Sequence, residues 1–562
     1  MNIKPEFKIL SVTPTLIEVE FIRPETFNQE FNIGSYIKIP DDKEEKNFIV
    51  GIIESYAINT EKSQLKDIET IKEDKTKSFV LKVQPIGMLS NKEGKVGFQR
   101  GFRNIPIPPV DDIRLVDKTE LRQIYDCNLK AYEKFTFSKL SQNKGVEVPV
   151  NGNLFFNKHI AIIGATGSGK SHTTAKVIQN AVSLKNDNFT GLNNSHVIIF
   201  DIHSEYKQAF PKSNCIGINE LILPYWLLTS EELIELFIDT EANDHNQRNV
   251  FKEAVIDSRK RHFKGTDIDR DKIHFDSSLY FDIHEVLNHA IEKNTEMQQG
   301  ARGLKQGPLN GKLENFVSRL ENKLNDRRFE FLLGDICKNI SFEETLRQFT
   351  GYKFRKKGEA NVTILDLSGI PFEVLSITVS LISRILFEFG YFYKKNRENE
   401  GVTEIKKTVE APMLLVFEEA HKYVPQSDLA KFRASKQSIE RIAKEGRKYG
   451  ISLLIASQRP SEVSTTIFAQ CSNFIAMRLT NPDDQNYVKK LLPDTLGGLT
   501  DNLPVLRTGE ALLIGDAIEI PSIVQIDRCE LEPSSSDIPY LEKWSEQWFD
   551  VDFKKIVTDW EK

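Results

Sequence analysis

Several things are scarce in this chain of 562 residues, and each scarcity excludes a class of protein. Cysteine is the first: only Cys127, Cys215, Cys337, Cys471 and Cys529 occur, widely scattered, and no two form a C-x-x-C pair. An odd, dispersed set predicts reduced thiols and speaks against a disulfide framework or a thiolate metal site. Long apolar runs are the second. The opening Met1-Asn-Ile-Lys-Pro-Glu-Phe is polar and mixed, and runs such as Ile160–Ala165 and Met413–Phe417 are of strand length. They fall short of a leader's apolar region and of a bilayer span, so a soluble, cytoplasmic protein without a membrane partner is expected. Positive charge is the third: Lys+Arg number 75 against 81 Asp+Glu, a net −6. That excludes a uniformly basic polynucleotide binder, but not an enzyme with a local basic surface. No internal repeat or low-complexity tract stands out.

What is present reads as several domains. At about 150 residues per domain the length predicts three or four units, and 40% hydrophobic with 28% charged residues is an ordinary globular composition. Residues 1–118 read as a small β-barrel or sandwich. Phe7–Ser11, Leu16–Phe21, Tyr36–Ile39, Phe48–Tyr56 and Ser78–Leu89 are rich in β-branched and aromatic residues. Arg23-Pro-Glu-Thr, Asn32-Ile-Gly-Ser and Pro40-Asp-Asp-Lys punctuate them, and Ile105-Pro-Ile-Pro-Pro-Val-Asp-Asp breaks regular structure. Residues 119–157 predict a helix, Thr119–Glu133, and a linker at Lys139–Pro149. From Lys158 onward, short apolar runs alternate with amphipathic segments: His159–Gly164, His196–Asp201, Val362–Leu367, Met413–Glu418 and Ser452–Ser457. That alternation predicts an α/β fold with parallel strands and crossover helices. The core would comprise 158–229 and 359–520, interrupted by a charged, mostly helical insertion at 230–358 that holds Arg319-Leu-Glu-Asn-Lys-Leu and the basic Arg259-Lys-Arg-His-Phe-Lys. Residues 521–562 form an acidic tail with Tyr540, Trp544, Trp548, Phe549 and Trp560, suited to docking.

The sharpest motif is Gly164-Ala-Thr-Gly-Ser-Gly-Lys170-Ser171, a G-x-x-x-x-G-K-[ST] phosphate loop. An apolar strand precedes it and a plausible helix, Thr173–Leu184, follows, which is the context the motif needs. Glycines let the backbone N–H groups converge on one phosphate, and the helix adds its positive end. A plain glycine turn would explain the strand and the helix, but not the whole motif. Gly164, Ala165, Thr166, Gly167, Ser168, Gly169, Lys170, Ser171 and His172 are therefore read as the nucleotide cradle. Lys170 would reach the β- and γ-phosphates of ATP, and the Ser171 hydroxyl would ligate Mg²⁺.

Such a loop needs a carboxylate partner, and Met413-Leu-Leu-Val-Phe-Glu418-Glu419-Ala-His ends an apolar strand in two acids. Placed beside the phosphate-loop strand, Glu418 would support the Mg²⁺ shell and Glu419 would polarise the attacking water, a pairing that suits an ATPase better than a kinase. A further strand ends in Gln458-Arg459-Pro460, whose amide could sense the γ-phosphate, although Pro460 alone would explain a strand exit. Glu440-Arg441-Ile-Ala-Lys444-Glu-Gly-Arg447-Lys448-Tyr-Gly450 reads as a helix with cations at its C-terminal end, which favours them. The sharper reading makes Arg447 a finger reaching a neighbour's nucleotide.

Together these stretches resemble the HerA-like ATPases of the FtsK–HerA branch of phosphate-loop proteins. The resemblance is carried by Asn157–Ser171, by Phe200-Asp201-Ile-His203-Ser-Glu205-Tyr206 and by Thr363-Ile-Leu-Asp366-Leu-Ser-Gly-Ile-Pro. It is carried further by Glu418-Glu419-Ala-His421, Glu445-Gly-Arg447-Lys448, Ser457-Gln458-Arg459-Pro460-Ser461 and Asn481-Pro-Asp-Asp-Gln. It runs from about Lys158 to Ile526 and more loosely over the N-terminal strands, where the family carries a small barrel. It implies a RecA-like core assembled into a ring, a hexamer, that threads double-stranded DNA and moves it by ATP hydrolysis. It also implies a partner nuclease of the NurA type or, in antiviral defence, a sirtuin-like or other nuclease effector. Residue by residue, Lys170 and Ser171 take nucleotide and Mg²⁺, Glu418 the metal, Glu419 the base, Gln458 the sensor and Arg447 the finger. The chain departs from the family at Ser204, where many relatives have glycine, and at Lys158, where arginine is frequent. A ring-shaped scaffold that activates an effector with little translocation, and a conjugation or secretion ATPase, are the other readings. Arg259–Lys264 and Lys353–Lys357 are basic stretches of a kind more often solvated helix or loop surface than DNA contacts.

Overall fold

The computed structural model describes residues 7–21, 31–40, 47–61, 76–92, 95–102, 113–185, 191–238, 245–266, 268–300, 303–352, 358–399, 412–427, 433–491, 497–535, 538–548 and 550–561. The breaks expected at Arg23–Thr26, Asp41–Lys43 and Ile105–Asp112, the basic stretch Lys353–Lys357 and the tail residue Phe549 lie outside the described residues.

The first sheet is antiparallel throughout. Its strands are β1 (Phe7–Val12), β2 (Ile17–Phe21), β3 (Tyr36–Pro40), β4 (Asn47–Glu61), β5 (Thr76–Lys92), β6 (Lys95–Arg100) and β7 (Arg114–Leu115). They run in the order β1-β2-β5-β4-β3-β7, with β6 also on β5. Alternation along them puts Ile17, Val19, Phe21, Ile37, Ile39, Ile49, Ile53, Leu81 and Val83 into one core cluster. Register shifts at Val50/Gly51 and Ile53/Ser55 break the β4–β5 ladder, as bulges do in a curving sheet.

The second sheet has eleven strands: β8 (Lys134–Leu140), β9 (Asn143–Asn151), β10 (Ile160–Ile163), β11 (His196–Asp201), β12 (Asn214–Ile216), β15 (Val362–Asp366), β16 (Met413–Phe417), β17 (Ile451–Ser457), β18 (Asn473–Met477), β19 (Glu510–Gly515) and β20 (Ser522–Ile526). A separate hairpin, β13 (Met297–Gly300) with β14 (Gly303–Gln306), stands apart from it. The order is β12-β15-β11-β16-β17-β10-β18-β19-β20-β8-β9, parallel from β12 to β18 and antiparallel from there on. β10, β16 and β17 are buried at every position. Covering both faces with helices is what makes continuous apolar runs such as Ile-Ala-Ile-Ile stable as parallel strands.

Two expectations change here. The stretch Lys139–Pro149 is a hairpin, not a linker: Phe135, Phe137 and Leu140 face the core from β8, and Val146, Val148 and Val150 from β9. Its polar turn, Ser141-Gln142, and Pro149 hide that alternation in the sequence. Likewise the chain after Pro521 first adds β20 to the sheet, because Ser522, Val524 and Ile526 alternate inward. The region 230–358 is built of helices, including Ser230–Phe237, His245–His262, Ile283–Thr295 and Glu314–Asn325, that share the main apolar core. Among the described residues no helix is long and apolar enough to cross a membrane, including the 28-residue Phe372–Asn399. All five cysteines are free.

Candidate functional site

The motif residues converge at the carboxyl edge of the parallel strands. Ile160–Ile163 ends in the loop, and the helix Lys170–Ser183 begins at its last lysine. Gly169 caps that helix in left-handed backbone, φ 104°, which favours glycine. A Cβ on Gly164 would stand 2.6 Å from Ser168 Oγ and 2.8 Å from Met477 Cβ, so only glycine lets the loop turn so tightly. Ala165 N donates to Arg478 O at 2.7 Å and Gly164 N to Ser457 O at 3.3 Å, which pins the loop to the strands on both sides. Lys170 is buried, its Nζ 3.4 Å from Ala165 O. The Ser168 hydroxyl is buried without a hydrogen-bond partner among the described residues. Neither Thr508 nor Gly509 is signalled by any motif, yet both touch the loop: Thr508 Oγ1 lies 3.4 Å from Gly167 O, and Gly509 N donates to Ser168 O at 3.0 Å.

The acids follow β16, which is not beside the phosphate-loop strand as the sequence reading has it. β17 lies between them, paired to β16 on one side and to β10 on the other. The apolar runs of all three strands are alike, so nothing local specifies their order. Glu418 is buried and accepts from the Tyr206 hydroxyl. Burial raises its pKa well above the usual carboxylate range, and the neighbouring Glu419 adds to the rise, while Lys170 works the other way. Glu419 has φ 49° and ψ 48°, left-handed backbone for a residue with a side chain, a strained state that persists only where its surroundings impose it. Its Oε2 is buried with no hydrogen-bond donor, since His421 Nδ1, 3.3 Å away, lacks the alignment of a hydrogen bond.

Gln458, at the end of the intervening β17, accepts from Thr166 Oγ1 at 2.5 Å, so the expected sensor is bonded to the phosphate loop itself. The motif at Asn481–Gln485 lies against the segment that follows Gln458: Asp484 Oδ1 accepts from Ser461 N at 3.1 Å and Ser461 Oγ at 2.7 Å. Arg459 is paired outward with Glu462 at 2.7 Å. The motif after β11 closes on its first residue. Asp201 accepts from the backbone N–H groups of His203, Glu205 and Tyr206, and burial outweighs these bonds to push its pKa up to about 6. Ser204, where relatives often have glycine, adopts φ 57° and donates to Asp366 Oδ2 at 2.7 Å, so the turn keeps its left-handed shape. The His172 ring turns away from the loop to accept from Cys529 N at 3.0 Å.

Two expected basic residues lie elsewhere. Arg447 precedes β17, at the amino edge of the sheet, so the length of that strand, about 23 Å at 3.3 Å per residue, separates it from Gln458 and the loop. It is exposed, and no hydrogen bond or ion pair of its side chain is found among the described residues. Lys158, at the same edge, is tied to Asp516 at 2.7 Å. Arg259 is fully buried, donating to the carbonyls of Trp226, His274, Phe275 and Leu279 with Phe281 beneath it, and so is part of the helical core. A cavity of about 640 Å³ also opens at the amino edge, beside Tyr132, Phe156, His196 and Met413, and neither the phosphate loop nor the two acids line it.

The donor set suits Mg²⁺. Among the described residues no three His, Cys, Asp or Glu side chains gather to hold a metal alone. Mg²⁺ is commonly held by one or two carboxylates, phosphates and water, and the buried Glu418 carboxylate supplies that kind of partial shell. Ser171, the first residue after Lys170 on the helix, would add its hydroxyl.

A family described as "Helicase HerA, central domain" matches residues 135–386. A probable helicase of Methanocaldococcus jannaschii is 25% identical over 540 residues, covering 94% of this chain and 92% of its own. A DNA double-strand break repair helicase HerA of Sulfolobus acidocaldarius is 26% identical over 544 residues, covering 95% and 96%. Among solved structures, VirB4 of Thermoanaerobacter pseudethanolicus aligns at a TM-score of 0.47 and 14% identity, over 73% of this chain and 98% of that one. The chain is thus similar to HerA helicases over nearly its whole length, and to their central domain over residues 135–386.

Proposed function

We propose that the protein is an ATP-driven motor that translocates on double-stranded DNA. The observation that carries this reading is the meeting, at the ends of three adjacent parallel strands, of the phosphate loop, Gln458 and the Glu418–Glu419 pair. Lys170 and the loop amides bind the β- and γ-phosphates, Ser171 and Glu418 hold Mg²⁺, and Glu419 accepts the proton of the attacking water while Gln458 orients the γ-phosphate. Mg²⁺ neutralises charge on the phosphates. The motor works as a hexameric ring, with Arg447 reaching the nucleotide of the adjacent subunit: it is exposed at the far edge from its own loop. Curated relatives that match nearly the whole chain are named as DNA repair helicases, which supports DNA as the track. The net charge of −6 is compatible with this, because a ring needs positive potential only along its pore. A nuclease of the NurA type, or a sirtuin-like or other nuclease effector, is the expected partner, in DNA end processing or antiviral defence in the cytoplasm.

A displacement assay tests the reading: protein, ATP and Mg²⁺ are added to duplex DNA carrying a bound third strand, and release is followed with time. Wild-type protein should release the strand and Lys170→Ala protein should not. ATP hydrolysis without release would leave a ring that gates its partner without moving.

A further inference from the structure

We infer that Tyr206 is a positioning residue for the reaction at this site, its buried hydroxyl holding the Glu418 carboxylate in one orientation. A glutamate has several rotatable bonds, and the bond from Tyr206 is the hydrogen bond that fixes the Glu418 carboxylate among the described residues. Tyr206 is fully buried and its hydroxyl donates to Glu418 Oε1; no hydrogen bond to Oε2 is found among the described residues, which leaves that oxygen for the ligands of the site. A phenylalanine would fill the same space, so the hydroxyl is there for its acceptor.

What holds Tyr206 is on the page as well. Its own N–H donates to Asp201 Oδ2 at 3.0 Å, and the turn before it is pinned by Ser204 on Asp366. On the outer side Ser534 N donates to Glu205 O at 2.8 Å. That bond belongs to a strap, residues 527–534, laid along the helix of the phosphate loop. Cys529 N donates to His172 Nε2 at 3.0 Å, Glu530 N to Gln179 Oε1 at 3.2 Å, and Gln179 Nε2 to Leu531 O at 2.8 Å. The strap therefore touches both the residue after Ser171 and the residue before Tyr206. The C-terminal segment, where Trp544, Trp548 and Trp560 are exposed, continues directly from it. Displacing the strap would loosen the turn and, through Tyr206, the carboxylate.

The inference rests on the ATPase reading, and the test separates the two. Tyr206→Phe should lower kcat for ATP about tenfold, as loss of a bond orienting a metal-site ligand does, with KM within twofold and the melting temperature nearly unchanged. Mn²⁺ binding in the presence of ADP, followed by electron paramagnetic resonance, should weaken by a similar factor. Ser534→Pro, which removes the strap's N–H donor, should lower kcat less, and should add nothing in the Tyr206→Phe background. Retention of both kcat and Mn²⁺ affinity within twofold by Tyr206→Phe would overturn the inference. So would additive losses in the double variant, or, if Tyr206→Phe does not fold, an unchanged kcat in Ser534→Pro. A wild-type protein with no hydrolysis sensitive to Lys170→Ala would sink the ATPase reading instead, and Mn²⁺ binding would still decide Tyr206.

Discussion

Glu419, at the carboxyl edge of the parallel strands, sits in left-handed backbone with one oxygen buried and unbonded; His159, at the amino edge, is also left-handed but has both ring nitrogens bonded. His159 Nε2 lies 2.9 Å from Ala443 O and Nδ1 accepts from Leu453 N at 3.0 Å, so the ring joins a helix to β17. Next to it Lys158 is neutralised by Asp516. At these two positions one edge leaves a carboxylate oxygen buried without a donor among the described residues, while the other satisfies its imidazole within the chain. Unsatisfied buried groups cost folding energy; the Ser168 hydroxyl and the Glu419 oxygen are two such groups, at the loop and the acids, among others elsewhere in the chain. Arg447, also at the amino edge, is exposed, with no hydrogen bond or ion pair of its side chain among the described residues.

The largest test of that contrast is Arg447→Ala, which should reduce kcat about a thousandfold while leaving ATP binding intact. Mixing it with Lys170→Ala protein should restore turnover, because some interfaces then pair an intact loop with an intact arginine. No recovery in mixed rings would place the arginine's effect within its own subunit. Gln458→Ala should cost about tenfold in kcat and little in KM, a loss well below that of a charged group. A fall in nucleotide affinity instead would make Gln458 a brace for Thr166.

The amino edge is sharpened by pH. Burial lowers the His159 pKa from 6.5 to about 4, and the charge of Arg447 acts in the same direction. Between those values the unfolded chain binds the extra proton, so stability is whole above about pH 6.5 and is lost as pH falls toward 4. His159→Gln should flatten the decline in melting temperature between pH 7 and pH 5, removing up to about 1.4 kcal/mol per pH unit; an unchanged slope would assign the decline to other groups. The smallest effect is expected at Ser204→Gly. Relief of left-handed strain and loss of the bond to Asp366 oppose each other, so stability should move by less than about 1 kcal/mol. A larger loss would show that the Asp366 bond dominates the turn.

The phosphate loop, the acids and Gln458 were legible because each is a short stretch whose chemistry demands its residue types at fixed spacing. The parallel strands were legible as uninterrupted apolar runs. The order of β16, β17 and β10 was not, since all three are buried at every position and their runs carry no mark of their neighbours. Nor was the hairpin at 134–151, where a polar turn and Pro149 mask the alternation of buried residues. Arg259 looked like surface charge because it stands in a basic cluster, yet four carbonyls from distant segments bury it. Tyr206 could be found only as part of a motif; its bond to Glu418 spans 212 positions.

The central claim, that the carboxyl edge hydrolyses ATP with Glu419 as its base, is tested most directly by measuring turnover and ATP binding in the same samples of wild-type and Glu419→Gln protein. The substitution keeps the size of the side chain and removes its basicity. Turnover lower by about a hundredfold or more, with ATP binding retained, is the predicted result; equal turnover in the two proteins would contradict it.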